Sequence, residues 1–335
     1  DRSLLPRSTG IVDTIYFGGG TPSLLDASQV GQILDQLTTQ FNFEDNPEVT
    51  LEMNPGTVDS NKARDFRLLG VNRASFGAQT FDERQLKRLG RTHSSDDVRR
   101  TFNILREAGF SNISFDLIAG LPEQTLDGWS INLNEALTLR PEHLSLYLLE
   151  VHEGTPLAEQ LRRGRWRKPD EELSAEMYRL MIDRVSAAGY EHYEISNFCL
   201  SGFASRHNTK YWTGDTVLGF GCSAHSYDGQ GKRWANVRDT HKYIELIENQ
   251  ASPVVEVTEL DARQRLSESL YLGLRMMKGI DLRGYRARFS LDIESRYADE
   301  LERFREAGLV ELGHHRLKLT RDGALLSNEV FAAFV

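Results

Sequence analysis

Short β-prone runs and longer helix-patterned stretches take turns along the first two hundred residues, and the helical stretches stop on glycine. The β-prone runs are Asp13–Phe17, Glu48–Met53, Arg73–Gly77, Asn112–Leu117, His143–Leu149 and Tyr190–Ser196. Between them lie apolar stripes at helical spacing. Val30, Ile33, Leu34, Leu37 and Phe41 form one. Ala63, Phe66 and Leu69 form a second, closed by Gly70. Val98, Phe102, Leu105 and Ala108 precede Gly109, and Met177, Leu180, Met181, Val185 and Ala188 precede Gly189. Glycine just past the last apolar position is a common helix stop. Strand–helix alternation at this spacing calls for a parallel sheet with helices outside, either a barrel or a doubly wound sheet. With 335 residues there is room for one such domain and a smaller one.

The alternation ends near Ser201. Gly, aromatic and His residues cluster from there to Pro253. Beyond Val257 a different unit begins. Leu266–Met276 and Ile293–Ala307 have helical patterning, Leu309–Leu312 and Arg316–Leu319 are short strands around Gly313-His314-His315, and a last helix starts at Arg321. Helices followed by a small hairpin resemble a winged helix. The expected organisation is a partial barrel over 1–200, a connecting region over 201–256 and a winged-helix-like domain over 257–335.

Several strands end in a polar residue: Gly18-Gly19-Gly20-Thr21, Glu52, Gln79, Asp116 and Glu150. In a parallel barrel these ends share one rim, where active sites are built from several strands. The triple glycine lacks the lysine of a P-loop, and Pro22 stands where the dinucleotide G-x-G-x-x-G would continue. Bare backbone lets a ligand approach the main chain closely. Main-chain carbonyls with Glu52 suit an ammonium group, Gln79 and Asp116 suit sugar hydroxyls, and Arg91 suits a carboxylate. An amino acid joined to a nucleoside, as in S-adenosylmethionine, has those groups. Residue types suggest it without singling it out.

GGGTPS, LEMNPGT, SFGAQTF, LGRTH, SFDLIAGLPEQT and LSLYLLEVHEGTPL occur in that order. With the winged-helix-like end, they resemble the radical S-adenosylmethionine family of oxygen-independent coproporphyrinogen III oxidase and the heme chaperones over nearly the whole chain. YEISNF, SRHNTKYW and GFGCSAHSY resemble the heme-chaperone branch more closely. The resemblance implies an incomplete (β/α)6 TIM-like barrel. It implies S-adenosylmethionine contacts from Gly19, Gly20, Thr21, Glu52, Gln79, Arg91 and Asp116, and heme bound through His207 of the HNxxYW motif. It further implies delivery of heme to acceptor proteins of the respiratory chain, with a homodimer also allowed. The alternative is oxidative decarboxylation of coproporphyrinogen III by the oxidase branch.

One family feature is missing. A four-iron–four-sulfur cluster is held there by CxxxCxxC ahead of the glycine-rich strand, thiolates being the ligands such clusters take. This sequence has only Cys199 and Cys222, whose spacing is neither a cluster motif nor a disulfide framework. The expectation is that the motif lies upstream of Asp1, with DRSLLPRSTG the tail of the segment that follows it. Cys199 and Cys222 supply no thiolate set for reductive cleavage, so the chain is an oxidoreductase only if the oxidase alternative holds.

Each site residue has a plainer reading. The glycines admit a tight turn, Asp116 admits a helix cap, Arg91 a surface charge and His207 an ordinary hydrogen bond. Asp26, Ser28 and Ser94 read as helix caps. His225, His314 and His315 are weaker heme-ligand candidates than His207, and Cys199 and Cys222 read as plain thiols. A net charge of −9 argues against a nucleic-acid partner despite the winged-helix-like end. No apolar run is long enough to span a bilayer. Few cysteines suit a reducing, cytoplasmic setting.

Overall fold

The computed structural model describes residues 10–335, so the opening segment expected to follow a cluster motif lies, but for Gly10, outside the described residues. Chain contacts divide between Ala204 and Ser205. The first unit, Ile11–Ala204, holds one seven-stranded sheet. Its strands are β1 (Val12–Phe17), β2 (Phe43–Met53), β3 (Arg73–Gln79), β4 (Ile113–Ala119), β5 (His143–Leu148), β6 (Glu191–Glu194) and β7 (Asn197–Cys199). Their order is β1-β2-β3-β4-β5-β7-β6. The first five run parallel. Helices α1 (Ala27–Gln40), α2 (Ser60–Leu68), α3 (Glu83–Arg88), α4 (Ser95–Glu107), α5 (Leu126–Leu139), α6 (Pro156–Arg162) and α7 (Glu171–Ala187) connect them. The result is a curled half-barrel, as the alternation predicts.

The sixth run differs from expectation. Tyr190–Ser196 is not one parallel strand. It contains β6 and a two-residue turn, after which β7 returns antiparallel and pairs with β5. Buried Glu194 causes the turn, its Oε2 accepting from Ser196 N–H at 3.1 Å and Asn197 Nδ2 at 2.5 Å. A run of β-prone residues conceals such a turn because no glycine or proline marks it.

The two faces of the sheet divide the chemistry. Leu51, Met53, Ala74, Phe76, Ile113, Phe115, Leu117, Leu144 and Leu146 are all buried on one face. Phe102 of α4 meets the Phe115 ring edge-on at 6.4 Å, and Trp129 of α5 donates to the Met177 carbonyl of α7 at 3.0 Å. Burying one such large side chain contributes about 1.5–3 kcal/mol. The other face alternates with it and is polar: Thr50, Glu52, Arg73, Ser75, Ser114, Asp116, His143 and Ser145. Paired residues in a parallel ladder point the same way. Glu52 pairs with Ser75, Ser75 with Ser114, Ser114 with His143, and Gly77 with Asp116.

The second unit carries α8 (Arg206–Thr213), β8 (His225–Tyr227), β9 (Lys232–Asn236), α9 (Thr240–Glu248) and β10 (Val254–Glu259), with a β10-β9-β8 antiparallel sheet that the sequence did not reveal. It continues with α10 (Ala262–Leu274), β11 (Ile280–Asp281), α11 (Leu282–Phe289), α12 (Ile293–Arg296), α13 (Ala298–Glu306), β12 (Val310–Gly313) and β13 (Arg316–Leu319). The β11-β13-β12 sheet with its helices is the expected hairpin-and-helix unit. His314 and His315 form the hairpin turn, both with positive φ, the geometry that tight two-residue hairpins require. Among the described residues no helix is long and apolar enough to cross a membrane.

Candidate functional site

The site grows from the C-terminal ends of β1 to β4. β1 runs straight into the glycines. Gly19 and Gly20 take φ of +76° and +54°, conformations that L side chains rarely adopt, and the space a Cβ would fill is open at both. Gly18 is glycine for another reason: a Cβ there would lie 2.6 Å from Tyr16 Cε1. The Gly19 N–H donates to Glu52 Oε2 at 3.1 Å, and the Tyr16 hydroxyl donates to Glu52 Oε1 at 2.6 Å.

The next turn is pinned to the loop after β2. Asn54 Nδ2 donates to Thr21 Oγ1 at 3.0 Å, and Asn54 N–H donates to Ser23 Oγ at 3.3 Å. Ser23 is fully buried and bonds Thr57 Oγ1 at 2.7 Å. Thr21 therefore serves the rim as a fastener between two loops.

Gln79 closes β3 in a left-handed conformation, φ +65°, beside a register shift between β3 and β4. Such backbone costs of order 1 kcal/mol and persists where its surroundings hold it. Asn132 of α5 holds it: Asn132 Oδ1 accepts from Thr80 Oγ1 at 2.9 Å and from Phe81 N–H at 2.5 Å. Asp116 is half-buried within β4, which rules out the cap reading. Burial pushes its carboxyl up to about 6. The nearby Glu52 charge adds to this, while a Ser145 hydrogen bond and the charges of Arg73 and Arg91 oppose it. Arg91 is exposed, directly after the Gly90 that ends α3, and its charge also acts on His93. Burial keeps His93 below its usual range.

Glu52 and Arg91 are thus each close enough to act on Asp116, and Gly19 is bonded to Glu52. Glu150 stays apart, exposed beside His152. Asp26 and Ser94 cap α1 and α4, whereas Ser28, expected as a cap, is the second residue of α1. Tyr16, Asn54, Asn132 and Ser145 escaped the strand-end rule. Period-two alternation in β1 would have found Tyr16, because it lies on the Gly18 face.

The second unit carries the HNxxYW helix. His207 Nε2 bonds the Tyr211 hydroxyl at 3.1 Å, with the rings edge-on at 5.4 Å. His207 is half-buried and Tyr211 is 47% exposed. Trp212, one residue on, has the Arg275 guanidinium 4.3 Å above its ring, and its buried Nε1 has no hydrogen-bond partner among the described residues. His225 is exposed on β8, and His315 accepts from Arg283 Nη2 at 2.6 Å.

A four-iron cluster does not fit the cysteines of this chain. Cys199 is buried, and burial pushes its thiol up to about 11, away from the thiolate a cluster needs. Cys222 sits in the other unit, 3.5 Å from Thr240 Oγ1. Among the described residues no group of three or more His, Cys, Asp or Glu is arranged to hold a metal ion. The rim does fit an amino-acid nucleoside: an open main-chain cradle, a fixed carboxylate, a second carboxyl and a guanidinium.

Comparison with known proteins matches the sequence signature of the radical SAM superfamily to residues 5–131 and that of the HemN C-terminal domain to residues 260–326. The chain is 37% identical over 323 residues to the heme chaperone HemW of Bacillus subtilis, covering 96% of this chain and 85% of that protein. It is 35% identical over 322 residues to HemW of Lactococcus lactis, covering 96% and 84%. Coproporphyrinogen III oxidase (HemN) from Escherichia coli, a radical SAM enzyme, has a similar structure, with a TM-score of 0.81 at 22% identity, over 96% of this chain and 77% of that one.

Proposed function

The chain belongs to the HemW family of heme chaperones within the radical SAM superfamily, and on that premise we propose that it binds heme and hands it to acceptor proteins of the respiratory chain from the cytoplasmic side. Identity to two heme chaperones over nearly the whole chain is the observation that carries this reading. His207 is the proposed iron ligand. Neutral imidazole is a common axial donor, and the 3.1 Å bond to Tyr211 orients the ring. The connecting region 201–256 supplies this helix, and residues 257–335 serve as a lid or docking module.

S-adenosylmethionine is the proposed ligand of the glycine rim. Glu52 and rim carbonyls accept from its ammonium, Arg91 pairs with its carboxylate, and Gln79 and Asp116 bond its ribose hydroxyls. Gly19, Gly20 and Thr21 form the wall. Bound S-adenosylmethionine supplies a sulfonium-activated carbon centre. The protein's part is to bind, orient and hold charge around it. The two cysteines of this chain do not supply the ligands of an iron–sulfur cluster.

The test is a heme titration of the chain followed by absorbance, with His207→Ala beside it and transfer to an apo-acceptor as the second readout. Saturable binding that weakens at least tenfold in the variant, with transfer from the wild type, is the expected result. A wild type that binds no heme overturns the proposal. Turnover of coproporphyrinogen III without heme binding moves the protein to the oxidase branch.

A further inference from the structure

We propose that Tyr16 is the positioning residue of the ammonium subsite: its hydroxyl fixes the Glu52 carboxylate, and its ring makes glycine obligatory at position 18. The inference rests on the reading of the rim as an S-adenosylmethionine site and adds to it a residue that does not itself lie in the glycine loop.

Three observations carry it. The first is reach. Tyr16 pairs with Thr50 in the parallel ladder, so its side chain stands on the same face as Glu52, two residues further along β2. Its hydroxyl closes the gap at 2.6 Å. The second is orientation. Oε1 accepts a hydrogen bond from the Tyr16 hydroxyl and Oε2 accepts one from the Gly19 N–H at 3.1 Å. A carboxylate held at both oxygens cannot rotate, yet each oxygen keeps a lone pair for an incoming cation. Burial, then the Glu52 and Asp116 charges, push the phenol above its ordinary range, so the hydroxyl remains a donor. The third is exclusion. A Cβ at Gly18 would meet Tyr16 Cε1 at 2.6 Å, Tyr16 Cδ1 at 3.0 Å and Glu52 Cδ at 3.4 Å. The three glycines therefore answer two demands: backbone conformation at 19 and 20, and the tyrosine ring at 18.

The arrangement also holds two carboxylates together. Glu52 raises the Asp116 carboxyl, and Asp116 feels Arg73, Arg91 and the Ser145 hydroxyl from the neighbouring elements. Left to itself, Glu52 would swing away from Asp116. Fastened by Tyr16, it keeps negative charge where a cation is to sit, which is preorganisation in the sense that the ligand meets a field already built.

The experiment measures binding of three probes to the wild type and to Tyr16→Phe by calorimetry. S-adenosylmethionine and S-adenosylhomocysteine carry the ammonium group; 5′-methylthioadenosine lacks it. A hydrogen bond to a charged group supports about a tenfold loss for the first two probes, with methylthioadenosine held within about twofold. The pH midpoint of S-adenosylmethionine binding, set by Asp116 near 6, moves down in the variant as Glu52 relaxes. Gly18→Ala is destabilising alone and tolerated in a Tyr16→Ala background, read by thermal unfolding. Equal loss for all three probes makes Tyr16 a structural residue only and overturns the proposal, as does unchanged affinity for the first two. A wild type that binds methylthioadenosine alone, or no probe, removes the ammonium subsite itself and takes the role of Tyr16 with it.

Discussion

The glycine rim and the HNxxYW helix hold their functional groups in opposite ways. At the rim Glu52, Thr21 and the Gln79 backbone are fastened from outside themselves. Glu52 is held by a hydroxyl and a main-chain amide, Thr21 by Asn54, and the Gln79 backbone by Asn132 one helix away. On α8, His207 and Tyr211 are one helical turn apart and bond each other, with Tyr211 about half exposed. A ligand of fixed shape and charge rewards the first arrangement, because a preformed site loses little entropy on binding. A cargo that must be released suits the second.

The contrast breaks most sharply at Glu52. Glu52→Gln removes the fixed charge and is expected to weaken S-adenosylmethionine by about one to two orders of magnitude in calorimetry, leaving the heme titration unchanged. Loss of both would make the two regions one site. His207→Ala is the mirror test, with about a tenfold loss of heme affinity by absorbance and none for S-adenosylmethionine.

Asp116→Asn sharpens the comparison through pH. The folded carboxyl titrates near 6, above its ordinary value near 4. Above pH 6 the wild type carries a charge that its surroundings disfavour. Below about pH 4 the carboxyl is protonated whether the chain is folded or not. Asp116→Asn is therefore expected to melt about 2–4 °C higher than wild type at pH 7.5, with the gain shrinking as pH falls from 6 to 4 in scanning calorimetry. Its S-adenosylmethionine affinity at pH 7.5 falls at the same time. The smallest effect lies beneath α8. Arg275→Ala removes the cation over Trp212 and is expected to cost about 0.5–1 kcal/mol in denaturant unfolding, with a shift in Trp212 fluorescence.

How legible each region was in the sequence follows the same divide. The parallel strands and their helices were readable because glycines punctuate them and apolar stripes repeat. Glu52 and Gln79 were readable because a polar residue at the end of a buried strand demands a reason, whereas Asp116, expected at a strand end, lies in the middle of β4, which runs on to Ala119. Asn132 was not, since it sits on a helix far in sequence from its partners, and Tyr16, inside a strand, was marked only by its period-two alternation with Gly18. The Tyr190–Ser196 turn was hidden because a buried glutamate makes it in place of glycine or proline. In 201–256 the strands are three to six residues long, too short to show a period, so the β10-β9-β8 sheet left little trace.

A parallel sheet covered on both sides would carry apolar residues at every strand position. This one carries them at every second position, and the alternation has a consequence for how the protein changes over generations. Stability is drawn from the Phe76, Phe115 and Leu146 side, packed against helices, while the opposite side is polar and carries the proposed recognition groups. Substitutions on the recognition side can therefore be tried without unpacking the core. A scaffold divided in this way can exchange polar side chains on one face while the apolar packing on the other stays in place.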